Sequence, residues 1–180
     1  MNRRSILRLG ATTLATAAFT ALPIDAQPAS GPTVAATSGI RFDHVSLNVR
    51  AFDRMMAWYR DVLGFRVEVA WRVAALDGKR LAYLVLGDTR LELVEADPDG
   101  LSLPAPEDFR AHFARTGYGH LCLAAENIDA LMAGLAARGV PSFVRPETYD
   151  LDGTPYRRRV GFIKDPEGNV LEFAEPLIGA

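Results

Sequence analysis

The chain has 180 residues, of which 49% are apolar and 23% charged, a composition typical of one soluble globular domain. Its formal charge of −2 comes from interspersed acidic and basic residues, without the basic stripe that nucleic-acid binding requires. We therefore expect a single folded domain whose partner is not a nucleic acid. Because Cys122 is the only cysteine, an intramolecular disulfide is excluded and the fold depends on its apolar core.

The first 26 residues predict an export signal. Arg3, Arg4 and Arg8 precede an apolar run over residues 9–22, and Ala26 ends a segment suited to cleavage. The run is too short and too weakly apolar to predict a membrane span. The adjacent arginines resemble a twin-arginine signal, which implies a periplasmic protein that meets the membrane only during export. An ordinary secretory signal and an uncleaved anchor are the alternatives.

Residues 27–39 are rich in proline, serine and glycine and have no apolar periodicity, which predicts a linker. The folded domain then spans residues 40–180. Its first segment, residues 41–49, alternates polar and apolar side chains as a half-buried strand does, with His44 on the polar face. A helix that ends at Gly64 follows. Three further strands are predicted, at about 65–71, 79–86 and 89–95.

The second half of the domain repeats this order. A strand that carries His120 leads into a helix that ends at Gly139, and a turn at residues 165–169 leads into a last strand that carries Glu172. His120 follows His44 by 76 residues and Glu172 follows Glu92 by 80, which indicates an internal duplication. We predict an α+β fold in which two βαβββ modules, about 41–96 and 117–176, form a curved mixed sheet around a cleft. A loop at 97–106 and a short helix at 107–115 connect them.

Four ionisable residues share the polar faces of the predicted strands: His44, Glu92, His120 and Glu172. The opposite faces are apolar and need the two helices over them, so the four side chains must line the cleft. Two carboxylates and two imidazoles in one concavity would cost several kcal/mol per ion without a counter-charge. A divalent cation removes this cost. Imidazole nitrogen and carboxylate oxygen suit Zn, Ni, Co, Mn or Fe.

The chain resembles the vicinal oxygen chelate superfamily, which contains glyoxalases, methylmalonyl-CoA epimerases, extradiol dioxygenases, and fosfomycin- and bleomycin-resistance proteins. The resemblance covers residues 41–176. It rests on DHVSLNV (43–49), WYRDVLGF (58–65), LELVE (91–95), GYGHL (117–121) and DPEGNVLEF (165–173). By this resemblance His44, Glu92, His120 and Glu172 bind one divalent metal ion. The resemblance also implies a small-molecule substrate and a homodimer.

A ligand set of two histidines and two glutamates looks most like a glyoxalase, a metal-dependent lyase or isomerase that transfers a proton next to a metal-bound carbonyl. By that resemblance Glu172 is the base and Glu92 its partner. One alternative is an iron-dependent extradiol-type dioxygenase, which uses both histidines and the last glutamate. The other is a non-catalytic protein that binds a drug or another small molecule. A thiol cosubstrate would be scarce after export, which argues against glutathione chemistry.

Several other residues have weaker functional interpretations. Glu95 lies at an odd offset from Glu92, so we expect it on the opposite face of the strand. We expect His112 to be exposed on the short connecting helix. The arginines at 157–159 are expected to be solvated strand charges, with Arg158 directed opposite to its neighbours. Three aromatic residues, Trp71, Tyr83 and Phe162, and the single cysteine, Cys122, are further candidates for the walls of the cleft.

Overall fold

The computed structural model describes residues 41–101, 103–150, 154 and 156–177. The predicted export signal at 1–26 and the linker at 27–39 lie outside these residues. Within the described ranges, no helix is long and apolar enough to cross a membrane.

The two halves of the domain contain the same elements in the same order. The first half consists of β1 (Val45–Val49), α1 (Phe52–Leu63), β2 (Arg66–Val73), a 3-10 turn (Ala74–Leu76), β3 (Lys79–Leu86) and β4 (Thr89–Glu95). A short connecting helix, α2 (Phe109–Phe113), follows. The second half consists of β5 (Leu121–Ala124), α3 (Ile128–Ala137), β6 (Ser142–Asp150), β7 (Arg157–Lys164) and β8 (Val170–Leu177).

Each half forms one four-stranded mixed sheet, with strand orders β1-β4-β3-β2 and β5-β8-β7-β6. The first strand of each half pairs in parallel with the last, and the remaining neighbours are antiparallel. The registers correspond as well, because Ser46 lies opposite Glu92 and Cys122 lies opposite Glu172. The predicted α+β fold of two βαβββ modules is confirmed. It leaves β1 and β5 at the ends of their sheets.

One apolar core joins the two halves. The apolar faces of the strands carry Leu91 and Leu93 in the first half and Leu171 and Phe173 in the second, all of them buried. Helices α1 and α3 cover these faces with side chains that are buried in the same cluster: Met55, Tyr59, Ile128, Met132 and Leu135. Burial of these faces turns the polar faces of both sheets away from the helices.

Equivalent glycines end the two long helices, as predicted. Gly64 has φ +80° and Gly139 has φ +81°, the left-handed conformation that a side chain rarely adopts. Their amides bond back to the last turn of each helix, Gly64 to the carbonyl of Arg60 and Gly139 to that of Ala136. Each glycine therefore lets the chain reverse directly into the next strand.

The turn between β7 and β8 ties the second half to the first. The buried Asp165 carboxylate accepts hydrogen bonds from the amides of Glu167 and Asn169, each at 2.9 Å, and from the Tyr59 hydroxyl of α1 at 3.1 Å. Burial, and then the charge of Asp165, raises the pKa of Tyr59 well above its ordinary value. The Glu167 carboxylate accepts from the amides of Arg50 and Ala51, where the chain enters α1. This turn therefore sets the position of α1.

A second polar network holds α1 on the first sheet. The Arg80 guanidinium binds the Glu95 carboxylate at 2.8 Å and the Asp53 carboxylate at 2.7 Å, and it lies 4.7 Å from the centre of the Phe52 ring. Hydrogen bonds from Arg80 lower the pKa of Glu95 from 4.5 to about 2. Glu95 thus faces the helix side of the sheet, as its odd offset from Glu92 predicted.

Replacing Asp165 should destabilise the whole domain. In Asp165→Ala, buried amides and the Tyr59 hydroxyl lose their acceptor, which should lower the free energy of unfolding by about 3 kcal/mol. Tyr59→Phe removes one hydrogen bond and should cost about 1 kcal/mol. Urea unfolding measures both. Equal losses in the two variants would contradict a central role for the carboxylate.

The Glu95 ion pair should make stability depend on pH in the acid range. A carboxylate whose folded pKa lies near 2 adds stability above the unfolded value of 4.5, and this stability disappears as the pH falls through about 2. Glu95→Gln should therefore be less stable than wild type at pH 7, and the difference should shrink between pH 4.5 and pH 2. Urea midpoints at several pH values test this, with Glu126→Gln, at an exposed position, as the control.

Candidate metal centre

The first candidate half-site consists of His44 and Glu92. His44 directly precedes β1, because pairing with β4 begins at Val45. It therefore lies one residue before the strand that the alternating sequence pattern predicted to contain it. Its Nε2 lies 3.6 Å from Oε2 of Glu92, and its Nδ1 lies 2.7 Å from Oδ2 of Asp43. The Glu92 side chain is 15% exposed. The sequence therefore identified two residues that do meet.

The second candidate half-site consists of His120 and Glu172. His120 directly precedes β5, the equivalent place in the second sheet. Its Nε2 lies 2.7 Å from Oε2 of Glu172, and its Nδ1 lies 3.0 Å from Nε2 of His112. The Glu172 side chain is 17% exposed. In both half-sites, therefore, the histidine Nε2 faces the glutamate and Nδ1 faces a different partner.

An aromatic residue adjoins each half-site at the same register. Tyr83 lies opposite Glu92 in the sheet, and its ring centre is 5.4 Å from that of His44. Phe162 lies opposite Glu172, and its ring centre is 5.6 Å from that of His120. Trp71 packs on Tyr83 at 4.8 Å. The aromatic residues proposed as cleft walls thus share the faces of the ionisable pairs.

The prediction that His112 is exposed is wrong. It lies on α2 as expected, but it is 5% exposed rather than solvated. Burial, and then the charge of His120, lowers its pKa. The helix turns it towards the second sheet together with Phe109 and Phe113, whose rings approach Phe162 at 5.3 and 6.4 Å. The spacing of these three residues, i, i+3 and i+4, places them on one face of the helix, where His112 is buried while Phe109 and Phe113 remain partly open to solvent.

Cys122 shares the face of the second half-site, as its position two residues after His120 predicted. It lies opposite Glu172 in the sheet, and part of its surface is open to solvent. Burial of the thiol, and then the negative charge of Glu172, raises the pKa of Cys122 to about 12. At neutral pH the side chain is therefore a thiol, which is a poor nucleophile and a poor metal ligand.

The arginines on β7 are engaged at the surface. Arg157 binds Asp150 at 2.8 Å and Arg159 binds Asp129 of α3 at 2.7 Å. These side chains therefore act as strand charges, as expected, rather than as ligands of a bound anion.

The two half-sites remain separate within one chain. Among the described residues, no group of three or more His, Cys, Asp or Glu side chains is arranged to hold a metal ion. His44 and His120 both line a groove of about 680 Å³ that runs along β1 to the start of β5, whereas Glu92 and Glu172 do not line it. The chain thus presents two similar pairs of ligand atoms, each on its own sheet.

The chemistry of these atoms fits a borderline divalent cation. Each half-site offers one imidazole nitrogen and one carboxylate oxygen on the same side of its sheet. Such nitrogen and oxygen donors suit zinc, nickel, cobalt, manganese or iron, and four of them leave positions for a substrate in an octahedral shell. His44, Glu92, His120 and Glu172 are therefore the residues that could hold an ion, two from each half-site.

Two known proteins are similar to this chain in sequence. Lactoylglutathione lyase of Pseudomonas putida is 28% identical over 159 residues, which cover 78% of this chain and 88% of the relative. Human mitochondrial methylmalonyl-CoA epimerase is 26% identical over 115 residues, which cover 64% of this chain and 63% of the relative.

A solved structure supports the fold. The glyoxalase family protein from Enterococcus faecalis superposes with a TM-score of 0.59 at 24% identity, over 75% of this chain and 97% of that protein. The family model described as Glyoxalase/Bleomycin resistance protein/Dioxygenase superfamily matches residues 41–173. Because this match spans well over half of the chain, the protein belongs to the superfamily of glyoxalases, bleomycin resistance proteins and dioxygenases.

Proposed function

We propose that this protein is a metal-dependent lyase or isomerase that moves a proton on the carbon next to a carbonyl group of a small molecule. The observation that carries the proposal is the pair of equivalent half-sites, His44 with Glu92 and His120 with Glu172. Their positions correspond in sequence, in strand register and in the neighbouring aromatic residue. A duplicated pair of this kind favours a shared four-ligand centre over two unrelated surface ion pairs.

A second copy of the chain would bring the half-sites together. Each half-site alone has two ligands, which is too few for a stable site of this type. The groove beside His44 and His120 is also lined by large apolar side chains that are exposed in the single chain: Phe42, Leu101, Leu103 and Tyr118. Exposed apolar surface of this kind marks an interaction site. We therefore propose a homodimer in which each centre combines the first half-site of one copy with the second half-site of the other.

The glutamates are suited to proton transfer. Their carboxylates are mostly enclosed, and an aromatic residue lies opposite each of them in the sheet. A bound divalent cation would polarise the substrate carbonyl and so acidify the neighbouring C–H bond. Glu172 would accept that proton as the C–H bond breaks, and Glu92, starting in the protonated form, would give a proton to the substrate from the other side. Passage of a proton from Glu172 to Glu92 through solvent would then restore the starting state. Net hydrogen content is unchanged, as an isomerisation requires.

Two relatives support this reaction class, since one is named a lyase and the other an epimerase. The substrate would differ from theirs if the predicted signal at 1–26 exports the protein to the periplasm, where glutathione and coenzyme A thioesters are scarce. We therefore propose that the substrate is a small carbonyl compound that is not joined to a thiol such as glutathione or coenzyme A.

Metal content should depend on both half-sites. The exported protein purified from its native host should contain nearly stoichiometric Ni, Zn, Co or Mn by elemental analysis, and Glu92→Gln and His120→Ala should each lose it. The matched control is Glu95→Gln, which should keep the ion. Glu95 lies three residues from Glu92, but its carboxylate binds Arg80 instead of facing the half-site. Iron that persists in Glu92→Gln would instead favour a dioxygenase, and a wild type without metal would favour a binding protein.

Mixing complementary variants should restore binding if the centre is shared between chains. His44→Ala and His120→Ala homodimers should each bind no metal. After dissociation and reassociation of a 1:1 mixture, about a quarter of the wild-type capacity should return, because half of randomly paired dimers are mixed and each carries one intact centre. Metal titration of the mixture, with each variant alone as control, measures this. No recovery in a dimeric mixture would contradict the shared centre.

A further inference from the structure

Both candidate histidine ligands have a partner on Nδ1, but the two partners come from different places. Nδ1 of His44 lies 2.7 Å from the carboxylate of Asp43, the residue directly before it. The equivalent residue before His120 is Gly119, which has no side chain. Nδ1 of His120 instead lies 3.0 Å from Nε2 of His112, which belongs to the connecting helix α2.

We propose that His112 is the positioning residue of His120, the counterpart of Asp43 for His44. This inference rests on the proposed metal-dependent function. When Nε2 of a histidine binds a metal, the proton resides on Nδ1, and an acceptor there fixes the orientation of the ring. His112 supplies that acceptor through Nε2. Its own Nδ1 then carries the hydrogen.

The surroundings of His112 fit this role, because they hold the ring in one place. The side chain is 5% exposed, and its ring lies 5.0 Å from that of Phe113 and 6.4 Å from that of Phe162. Asp108 caps the start of α2 by accepting from the amide of Ala111 at 2.7 Å. A capped, packed helix positions a hydrogen-bond acceptor more firmly than an exposed side chain would.

Helix α2 lies between the two repeats and belongs to neither. The second half lacks a carboxylate at position 119, the place equivalent to Asp43. The connecting helix instead provides the imidazole of His112 as the partner of Nδ1 of His120. Gly119 also lies outside the left-handed region, so a side chain is compatible with its backbone. A Cβ built there would lie 3.8 Å from Nε2 of His112, which is ordinary contact. An aspartate at 119 is thus a realistic substitute for His112.

The test measures metal affinity rather than turnover. The wild-type dimer, His112→Ala and His112→Gln are titrated with Co²⁺ against a competing chelator, and the absorption spectrum of the bound Co²⁺ is recorded. His112→Ala should bind about 10- to 100-fold more weakly, with an altered spectrum, as expected when the partner of a metal-bound histidine is removed. His112→Gln, which keeps an acceptor, should lose less. The double variant His112→Ala with Gly119→Asp should recover affinity.

A merely structural role would give a different result. Tyr59→Phe removes a hydrogen bond to Asp165 and contacts neither His112 nor His120, so it should lower the melting temperature and leave Co²⁺ affinity unchanged. If His112→Ala behaves like Tyr59→Phe, or if Gly119→Asp fails to restore affinity, the positioning role is wrong while the metal-dependent function stands. A wild type that binds no Co²⁺ overturns both.

Discussion

The structure depends on one constraint, the burial of a single apolar face on each sheet. Leu91, Leu93, Leu171 and Phe173 point towards the helices and are buried. Because neighbouring side chains on a strand point to opposite faces, Glu92 and Glu172 must then lie on the uncovered sides. The core thus decides on which faces the ionisable side chains lie. A shift of one residue in the register of β4 or β8 would bury the carboxylates and expose the core.

The two halves have kept their framework and diverged around it. Both place a histidine before the first strand and a glutamate opposite an aromatic residue, Tyr83 or Phe162. The first half-site has a carboxylate, that of Asp43, beside its histidine. The second adjoins α2, which adds His112 and two phenylalanines.

Acidic residues that look alike in the sequence have separate tasks. Glu92 and Glu95 lie three residues apart, yet Glu92 faces His44 and Glu95 binds Arg80 on the helix side. Asp165 and Glu167 lie in one turn and bind α1 of the other half. Each of these carboxylates has a cation, a hydroxyl or amide groups as its partner. Among the described residues, Glu92 and Glu172 are each paired with an imidazole rather than with an arginine or lysine, which leaves them available for a cation and a proton.

The sequence by itself determined the duplicated βαβββ order, the glycine ends of the helices and the face on which each ligand candidate lies. These are local properties, since periodicity and turn residues act over a few neighbours. It did not determine that His112 is buried, because that depends on how α2 packs against Phe162, 50 residues further along the chain. Nor did it determine how the two half-sites are grouped: among the described residues, no three ligand-type side chains are arranged to hold a metal ion within one chain. Only the tertiary structure decided this, because the placement of one sheet against the other depends on how the whole core is packed.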